Sequence, residues 1–283
     1  GGVTVTDVSG VVSNAMPSVV AITSKTLIES KGYSSIFDEY FGGGRGGNQT
    51  YEQEAAGSGI IVDQTDTELL IVTNNHVVEG SDSLKIQFDG MKTEDAVDGY
   101  IKGTDANADV AVVAVKLKDI SSGTLETIKK ATIGDSDKVS VGEGVIAIGN
   151  ALGYGQSVTT GVISAKDREV SGEDNTMKLL QTDAAINPGN SGGALVDSSG
   201  AVIGINSSKY ADTSVEGMGF AIPINTAIPI INDIVKAQTV SEDEQAYLGI
   251  KGTNVTSEYA QYYNLPEGIY VSSVTSGSPA DKA

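Results

Sequence analysis

The stretch Gln181-Thr182-Asp183-Ala184-Ala185-Ile186-Asn187-Pro188-Gly189-Asn190-Ser191-Gly192-Gly193-Ala194-Leu195 makes little sense as scaffold, and Ser191 is its centre. Pro188, Gly189, Gly192 and Gly193 crowd a polar turn between two apolar runs, Met177 to Leu180 and Ala201 to Ile205. Glycine opens backbone conformations closed to residues with a Cβ, so such a turn can aim successive N–H groups at one spot. Acyl transfer needs that arrangement. Across Gly189, Asn190 and Ser191, the N–H groups of Gly189 and Ser191 would hold the oxyanion of a tetrahedral intermediate. A glycine-rich hairpin explains the glycines equally well, so the partners of Ser191 must decide.

A serine hydroxyl attacks only when a base removes its proton, and histidine is the usual base near neutral pH. The chain holds one histidine, His76, in Thr73-Asn74-Asn75-His76-Val77-Val78-Glu79-Gly80, directly after an apolar strand. A lone histidine is ordinarily a surface or core side chain, but if histidine activates Ser191, it is His76. A carboxylate should then accept the other ring N–H and fix the tautomer. Asp109 follows the polar run Thr104 to Ala108 and opens Val110-Ala111-Val112-Val113-Ala114-Val115, a strand apolar enough to bury its first residue. A strand-start cap is its plainer role, and Asp105 competes for the catalytic one.

The elements that would position these groups are short and close together. Strand-like runs fall at 16–23, 59–62, 69–73, 84–88, 96–101 and 110–117, and again at 144–148, 157–164, 177–182, 193–196, 201–207 and 217–222. That spacing, with turn residues between, predicts antiparallel barrels rather than βαβ units. The expected fold is all-β, with two six-stranded antiparallel barrels at about 16–120 and 121–222, after an N-terminal segment 1–15 of short strand or helix. Pro223 to Ala237 carries Ile224, Ala227, Ile228, Ile231, Ile234 and Val235 at helical spacing, with Pro at the first position. Residues 27–55, with Tyr33, Phe37, Tyr40 and Phe41 around a glycine run, read as a long mobile loop. Residues 238–246 are a polar, acidic linker, and 247–283 a β-rich piece too short to bury a core of its own.

Composition removes several classes of function. A formal net charge of -19 argues against nucleic acid as a partner and against docking on an anionic membrane. With 0 cysteines there is no disulfide, cysteine metal site or thiol nucleophile, which also fits an oxidising exterior. No metal-ligand cluster is evident, and a serine mechanism requires neither metal nor cofactor. No run approaches the roughly 18 apolar residues of a membrane-spanning helix. Gly1-Gly2 reads as an artificial edge, so an anchor or signal upstream is allowed. The acceptor patterns at Asn48, Asn206 and Asn254 are short enough to arise by chance, and no function is assigned to them.

The order His76, Asp109, Ser191 is that of the chymotrypsin-like enzymes. Thr73 to Val78, Asp109 to Val113, Gly149 to Gly153, Gln181 to Leu195 and Gly217 to Pro223 closely resemble the HtrA (Deg) family of serine proteases, over about Met16 to Asn225. The resemblance implies a trypsin-like double β-barrel and an ATP-independent serine endopeptidase acting on unfolded or damaged polypeptides outside the cytoplasm, in protein quality control. It implies a homotrimer, and tethering by an N-terminal membrane helix that would precede Gly1. By the same resemblance Tyr247 to Ala283 is the first part of a PDZ domain, with Tyr247-Leu248-Gly249-Ile250 at its carboxylate-binding loop. PDZ domains take peptide C-termini by strand addition.

Specificity is partly legible. Trypsin-like enzymes carry an acidic side chain six positions before the serine, and here that position is Ala185, so preference for Lys or Arg is not expected. By resemblance Ile186 and Ile205 line an apolar pocket for small aliphatic side chains. Lys209 faces the same pocket and departs from the family's apolar or small residue. Digestive relatives pair an aspartate at position 190 with a newly cut N-terminus, which Asn190 cannot do. Activation is therefore expected to come from ordering of the loops 164–178 and 207–217, which would switch the oxyanion hole. A peptide-binding holdase with a resting protease core is the alternative from another functional class.

Overall fold

The computed structural model of the chain describes residues 7–30, 49–151, 155–171, 176–210, 217–237, 248–255, 260, 266 and 268–282. The expected linker and most of the 27–55 loop lie outside these residues. The chain divides into two compact units, Gly1–Lys236 and Ala237–Ala283.

In the first unit a short helix α1 (Ser9–Ala15) precedes β1 (Val19–Ser30), β2 (Gln49–Gln64), β3 (Glu68–Thr73), β4 (Ser83–Gln87), β5 (Val97–Asp105) and β6 (Val110–Lys116). These six strands close in the order β1-β2-β3-β6-β5-β4. Helix α2 (Asn75–Val78) follows β3, and α3 (Ser122–Thr127) begins the connection to the second set. Strands β7 (Gly144–Ala151), β8 (Gly155–Ser171), β9 (Thr176–Thr182), β10 (Ala194–Asp197), β11 (Val202–Ser207) and β12 (Gly219–Pro223) close in the order β10-β11-β12-β9-β8-β7. Every pairing is antiparallel. The expected double barrel is therefore the observed fold.

Successive side chains of a strand point to opposite faces, and both faces here are apolar. Along β6, Ala111, Val113 and Val115 fill the first barrel with Val20, Ile22, Leu69, Ile71 and Ile86. The alternate residues Val110 and Val112 join Val19, Ile60 and Val72 in a second cluster with Ile146, Ile148, Ala194, Ile205 and Ile222 of the other barrel. That cluster is the seam between the barrels. It explains why β6 reads as an unbroken apolar run rather than an alternating one. The second barrel's interior holds Val145, Ala147, Ile163, Leu180, Leu195, Ile203 and Ala221.

Helix α4 (Ile224–Lys236) buries Ile224, Ala227 and Ile231 against the seam cluster. It starts one residue later than the sequence suggests, because Pro223 still pairs with Gly204 as the last residue of β12. Pro229 lies inside the helix, where its ring removes a backbone donor; burial of the apolar stripe outweighs that cost. The expected loop at 27–55 begins as a hairpin stem: β1 and β2 stay paired as far as Ser30 opposite Gln49. On the outside of the first barrel, Glu68 of β3 accepts a hydrogen bond from the Tyr100 hydroxyl and one from Lys102 Nζ at 2.7 Å, both on β5. Those bonds hold the Glu68 carboxyl below the usual range, Lys102 contributing most and Tyr100 next.

The second unit contains β13 (Ile250–Val255) and β14 (Gly268–Val274), paired antiparallel from Ile250 opposite Val274 to Val255 opposite Gly268. A short helix α5 (Pro279–Lys282) follows. Gly249 adopts φ 77 and its carbonyl accepts the Thr275 N–H at 2.7 Å. Of the segment expected to form a carboxylate-binding loop, Tyr247 lies outside the described residues.

Candidate active site

The loops that end β3, begin β6 and precede β10 meet at the seam. His76 occupies the one-turn helix α2, and Asp109 stands immediately before β6 in a left-handed conformation, φ 53, that Asp and Asn tolerate better than most residues. The fully buried Asp109 carboxylate accepts hydrogen bonds from the His76 backbone N–H at 3.0 Å and from Ser207 Oγ at 3.0 Å. His76 Nδ1 lies 2.8 Å from Asp109 Oδ2, and His76 Nε2 lies 2.9 Å from Ser191 Oγ. A carboxylate beside Nδ1 places the proton on that nitrogen and leaves Nε2 as the acceptor for the serine hydroxyl. Asp105 does something else: its Oδ1 accepts the Ala108 N–H at 2.9 Å and closes the turn that delivers Asp109.

Two asparagines complete the surroundings of the hydroxyl. Asn74, fully buried, donates from Nδ2 to the Asp109 carbonyl at 3.1 Å, and its Oδ1 lies 3.1 Å from Ser191 Oγ. The Ser208 N–H also donates to Ser191 Oγ at 3.1 Å. Asn190 is buried and braces its own loop, donating from Nδ2 to the Ala185 carbonyl at 3.0 Å and accepting the Asn187 N–H at 2.9 Å. The Ala185 carbonyl accepts Thr159 Oγ1 as well, at 2.9 Å.

Of the two N–H groups expected to receive an oxyanion, that of Ser191 already has a partner. Ser191 N–H donates to the Asn187 carbonyl at 3.1 Å, as Asn190 N–H does at 3.0 Å, so the 187–191 segment forms a tight turn. In this conformation the Ser191 N–H is engaged inside its own loop. Gly192 adopts φ 83, and a Cβ there would lie 2.3 Å from the Ser58 carbonyl oxygen and 2.3 Å from Thr73 Oγ1, so only glycine fits.

The three expected pocket residues differ in burial. Ile186 is half-buried at the edge of the second barrel's interior, 2.6 Å from where a Cβ on Gly219 would stand. Ile205 is fully buried in the seam cluster, and Lys209 is exposed. Tyr210 beside Lys209 is half-buried; its hydroxyl contacts Met177 Sδ at 3.1 Å. Burial, and then the negative charge of Asp109, push that phenol up to about 12. Of the loops expected to order on activation, residues 172–175 and 211–216 lie outside the described set.

Sequence reading missed Ser58, Asn74 and Ser207. The available signal for Ser58 was a polar residue between two glycines, Gly57-Ser58-Gly59, directly before the apolar run Ile60-Ile61-Val62. Asn74 and Ser207 carried a fainter one, each being polar shortly after an apolar run, Leu69 to Val72 and Ala201 to Ile205 respectively. Among the described residues no group of three or more His, Asp or Glu side chains is placed to hold a metal ion.

Residues 57–205 match the family model described as a trypsin-like peptidase domain. The chain is 35% identical to the serine protease Do-like HtrA of Bacillus subtilis (strain 168), over 98% of this chain and 60% of that protein. It is 37% identical to the periplasmic serine endoprotease DegP of Salmonella typhimurium, over 95% of this chain and 59% of that protein. The chain thus spans about three fifths of the length of these relatives. A solved structure titled HtrA-type protease AlgW with decapeptide superposes with a TM-score of 0.63 at 32% identity, covering 98% of this chain and 82% of that one.

Proposed function

Because this chain belongs to the trypsin-like peptidases, in their HtrA branch, we propose that it is a serine endopeptidase that cleaves unfolded polypeptides outside the cytoplasm without ATP. The observation that carries this reading is the unbroken line from Ser191 Oγ through His76 Nε2 at 2.9 Å to Asp109 Oδ2 at 2.8 Å. Ser191 Oγ attacks the scissile carbonyl while His76 Nε2 takes its proton. Asp109 holds the imidazole in the tautomer that can do so and stabilises the imidazolium that forms. The N–H groups of Gly189 and Ser191 receive the oxyanion once the Ser191 N–H leaves Asn187. The imidazolium then protonates the leaving amine, and water hydrolyses the acyl-enzyme by the same steps in reverse order.

The substrate side rests on fewer features. Ala185, in place of an acidic residue, and Ile186 favour small aliphatic side chains over Lys or Arg, and Lys209 is exposed. The name of the Salmonella relative, a periplasmic endoprotease, supports the extracytoplasmic location. A homotrimer, a PDZ role for 247–283 and a membrane tether before Gly1 belong to the same reading by family resemblance. No described helix is long and apolar enough to cross a membrane.

Cleavage of unfolded casein by the wild type, and none by Ser191→Ala at equal concentration and neutral pH, is the expected result; equal cleavage by both overturns the assignment. A fluorophosphonate should label Ser191 alone. The engaged Ser191 N–H favours a second reading, a resting protease core that holds unfolded chains without cutting them. Protection of a model protein from aggregation by Ser191→Ala, with no cleavage by the wild type, selects that reading.

A further inference from the structure

Ser58 in β2 is fully buried and forms four short hydrogen bonds, three of them across the seam. Its Oγ donates to the Gly189 carbonyl at 2.8 Å and accepts the Asn150 N–H of β7 at 2.8 Å. Its backbone N–H donates to the Ser191 carbonyl at 2.8 Å, and its own carbonyl accepts Thr73 Oγ1 at 2.7 Å. One residue of the first barrel therefore holds both carbonyls that flank Asn190, each belonging to a residue whose N–H is a proposed oxyanion donor.

Steric fit around it is close. A Cβ on Gly57 would lie 2.7 Å from Val77 and 3.2 Å from the Ser191 carbonyl oxygen. A Cβ on Gly149 would lie 2.4 Å from the Asn190 Cα and 2.9 Å from Ser58 Oγ. The nucleophile loop is wedged between β2 and β7, with the Ser58 hydroxyl as the polar contact at its Gly189 end. Beyond Gly189 the restraint changes character: the 187–190 turn is held by Asn190 and by the N–H bonds to Asn187, all within the loop. The Pro188–Gly189 peptide, which carries the Gly189 N–H, lies within that turn, immediately before the fixed carbonyl.

We propose that Ser58 is a positioning residue whose hydroxyl is the fixed point on which residues 187–190 turn. On one side of that turn is the observed conformation, with the Ser191 N–H on Asn187. On the other, the N–H groups of Gly189 and Ser191 converge on a substrate carbonyl. Anchoring the Gly189 carbonyl lets the Pro188–Gly189 peptide rotate while Ser191 keeps its distance to His76. The proposal rests on the serine endopeptidase reading for its catalytic consequence, and on the hydrogen bonds alone for its mechanical one.

Two measurements on Ser58→Ala and Ser58→Cys test it. Removing the hydroxyl leaves the Gly189 carbonyl and the Asn150 N–H without their partner, and the thiol restores only a weak donor. Amide hydrogen exchange in peptides covering 187–193 should accelerate by about tenfold or more in Ser58→Ala, with β3 and β6 unchanged and Ser58→Cys intermediate. In casein cleavage, kcat should fall by about tenfold or more in Ser58→Ala with KM within about twofold, because only transition-state contacts are lost. Exchange in 187–193 matching the wild type, a uniform acceleration across both barrels, or an unchanged kcat overturns the proposal. Failure of both variants to fold assigns the hydroxyl to stability and also overturns it. Local acceleration in a wild-type background that cleaves nothing would remove the protease reading while leaving the anchor in place.

Discussion

Ser207, the last residue of β11 in the second barrel, donates its hydroxyl to Asp109 Oδ2 at 3.0 Å, at the threshold of β6 in the first. The carboxylate that orients His76 is thus itself oriented by the opposite barrel. Ser207→Ala removes one of the donors to a buried carboxylate while leaving those from His76. The expected effect is a fall in kcat of about tenfold at nearly constant KM, from steady-state cleavage of a peptide substrate.

Asp109 adopts φ 53. Asparagine shares the local hydrogen-bonding that makes this conformation tolerable, and alanine does not. Asp109→Asn should therefore keep wild-type stability within about 1 kcal/mol while kcat falls by roughly 10⁴-fold, since the amide cannot enforce the right imidazole tautomer. Asp109→Ala should lose as much activity and be the less stable of the two. Urea unfolding midpoints beside kcat values separate the two effects.

Gly192→Ala places a methyl group against a backbone oxygen at a φ of 83. Neither the Ser58 carbonyl nor the strand carrying it can move without disturbing the Ser191 bonds. A loss of about 3 kcal/mol or more is expected, together with loss of cleavage, and thermal unfolding beside the casein assay checks it.

Tyr100 and Tyr210 both ionise only at about 12, the first through burial and then the Glu68 carboxylate, the second through burial and then Asp109. A folded value above the unfolded one means stability that is fully present below about pH 10 and lost as the pH rises through about 12. Tyrosinate absorbance should show a late-titrating fraction, and Tyr210→Phe should remove one phenol from it.

Glu68 shows the opposite sign. Its folded value is depressed, so the stability it contributes is present above the unfolded glutamate range and lost as the pH falls through the lower folded value. Glu68→Gln should flatten the acid limb of the unfolding free energy below about pH 4.5. A limb as steep as the wild type's would show that the Lys102 and Tyr100 bonds contribute nothing measurable.

The double barrel was legible because its strands are short, closely spaced and apolar on both faces, as β6 shows most plainly. His76 and Ser191 were legible for a different reason: each is the kind of residue that chemistry requires in a place where scaffold does not. Asp109 could be preferred to Asp105 only on the expected burial of a strand's first residue, whereas the structure separates them by what each carboxylate accepts. Ser58 and Asn74 escaped because their roles depend on partners more than 100 residues away, Gly189 and Ser191 respectively. No local pattern encodes such a partnership.

The two closed barrels have a colloidal consequence. An open sheet edge is a row of unpaired N–H and C=O groups, and an unfolded chain rich in strand-forming segments will pair with one if it is offered. A protein that keeps company with such chains is at risk of being nucleated into their aggregates. Where the barrels close, each strand has a neighbour on either side and that row is missing; it persists where paired strands run past the closure, at 26–30 with 49–56 and at 165–171 with 176–179. Among the described strands, β13 and β14 form a two-stranded sheet with both flanks free, and the exposed side chains of Ile269 and Tyr270 lie along it. Invitation to a foreign strand is thus limited to those hairpin extensions and the second unit, and the closed bodies of the barrels decline it.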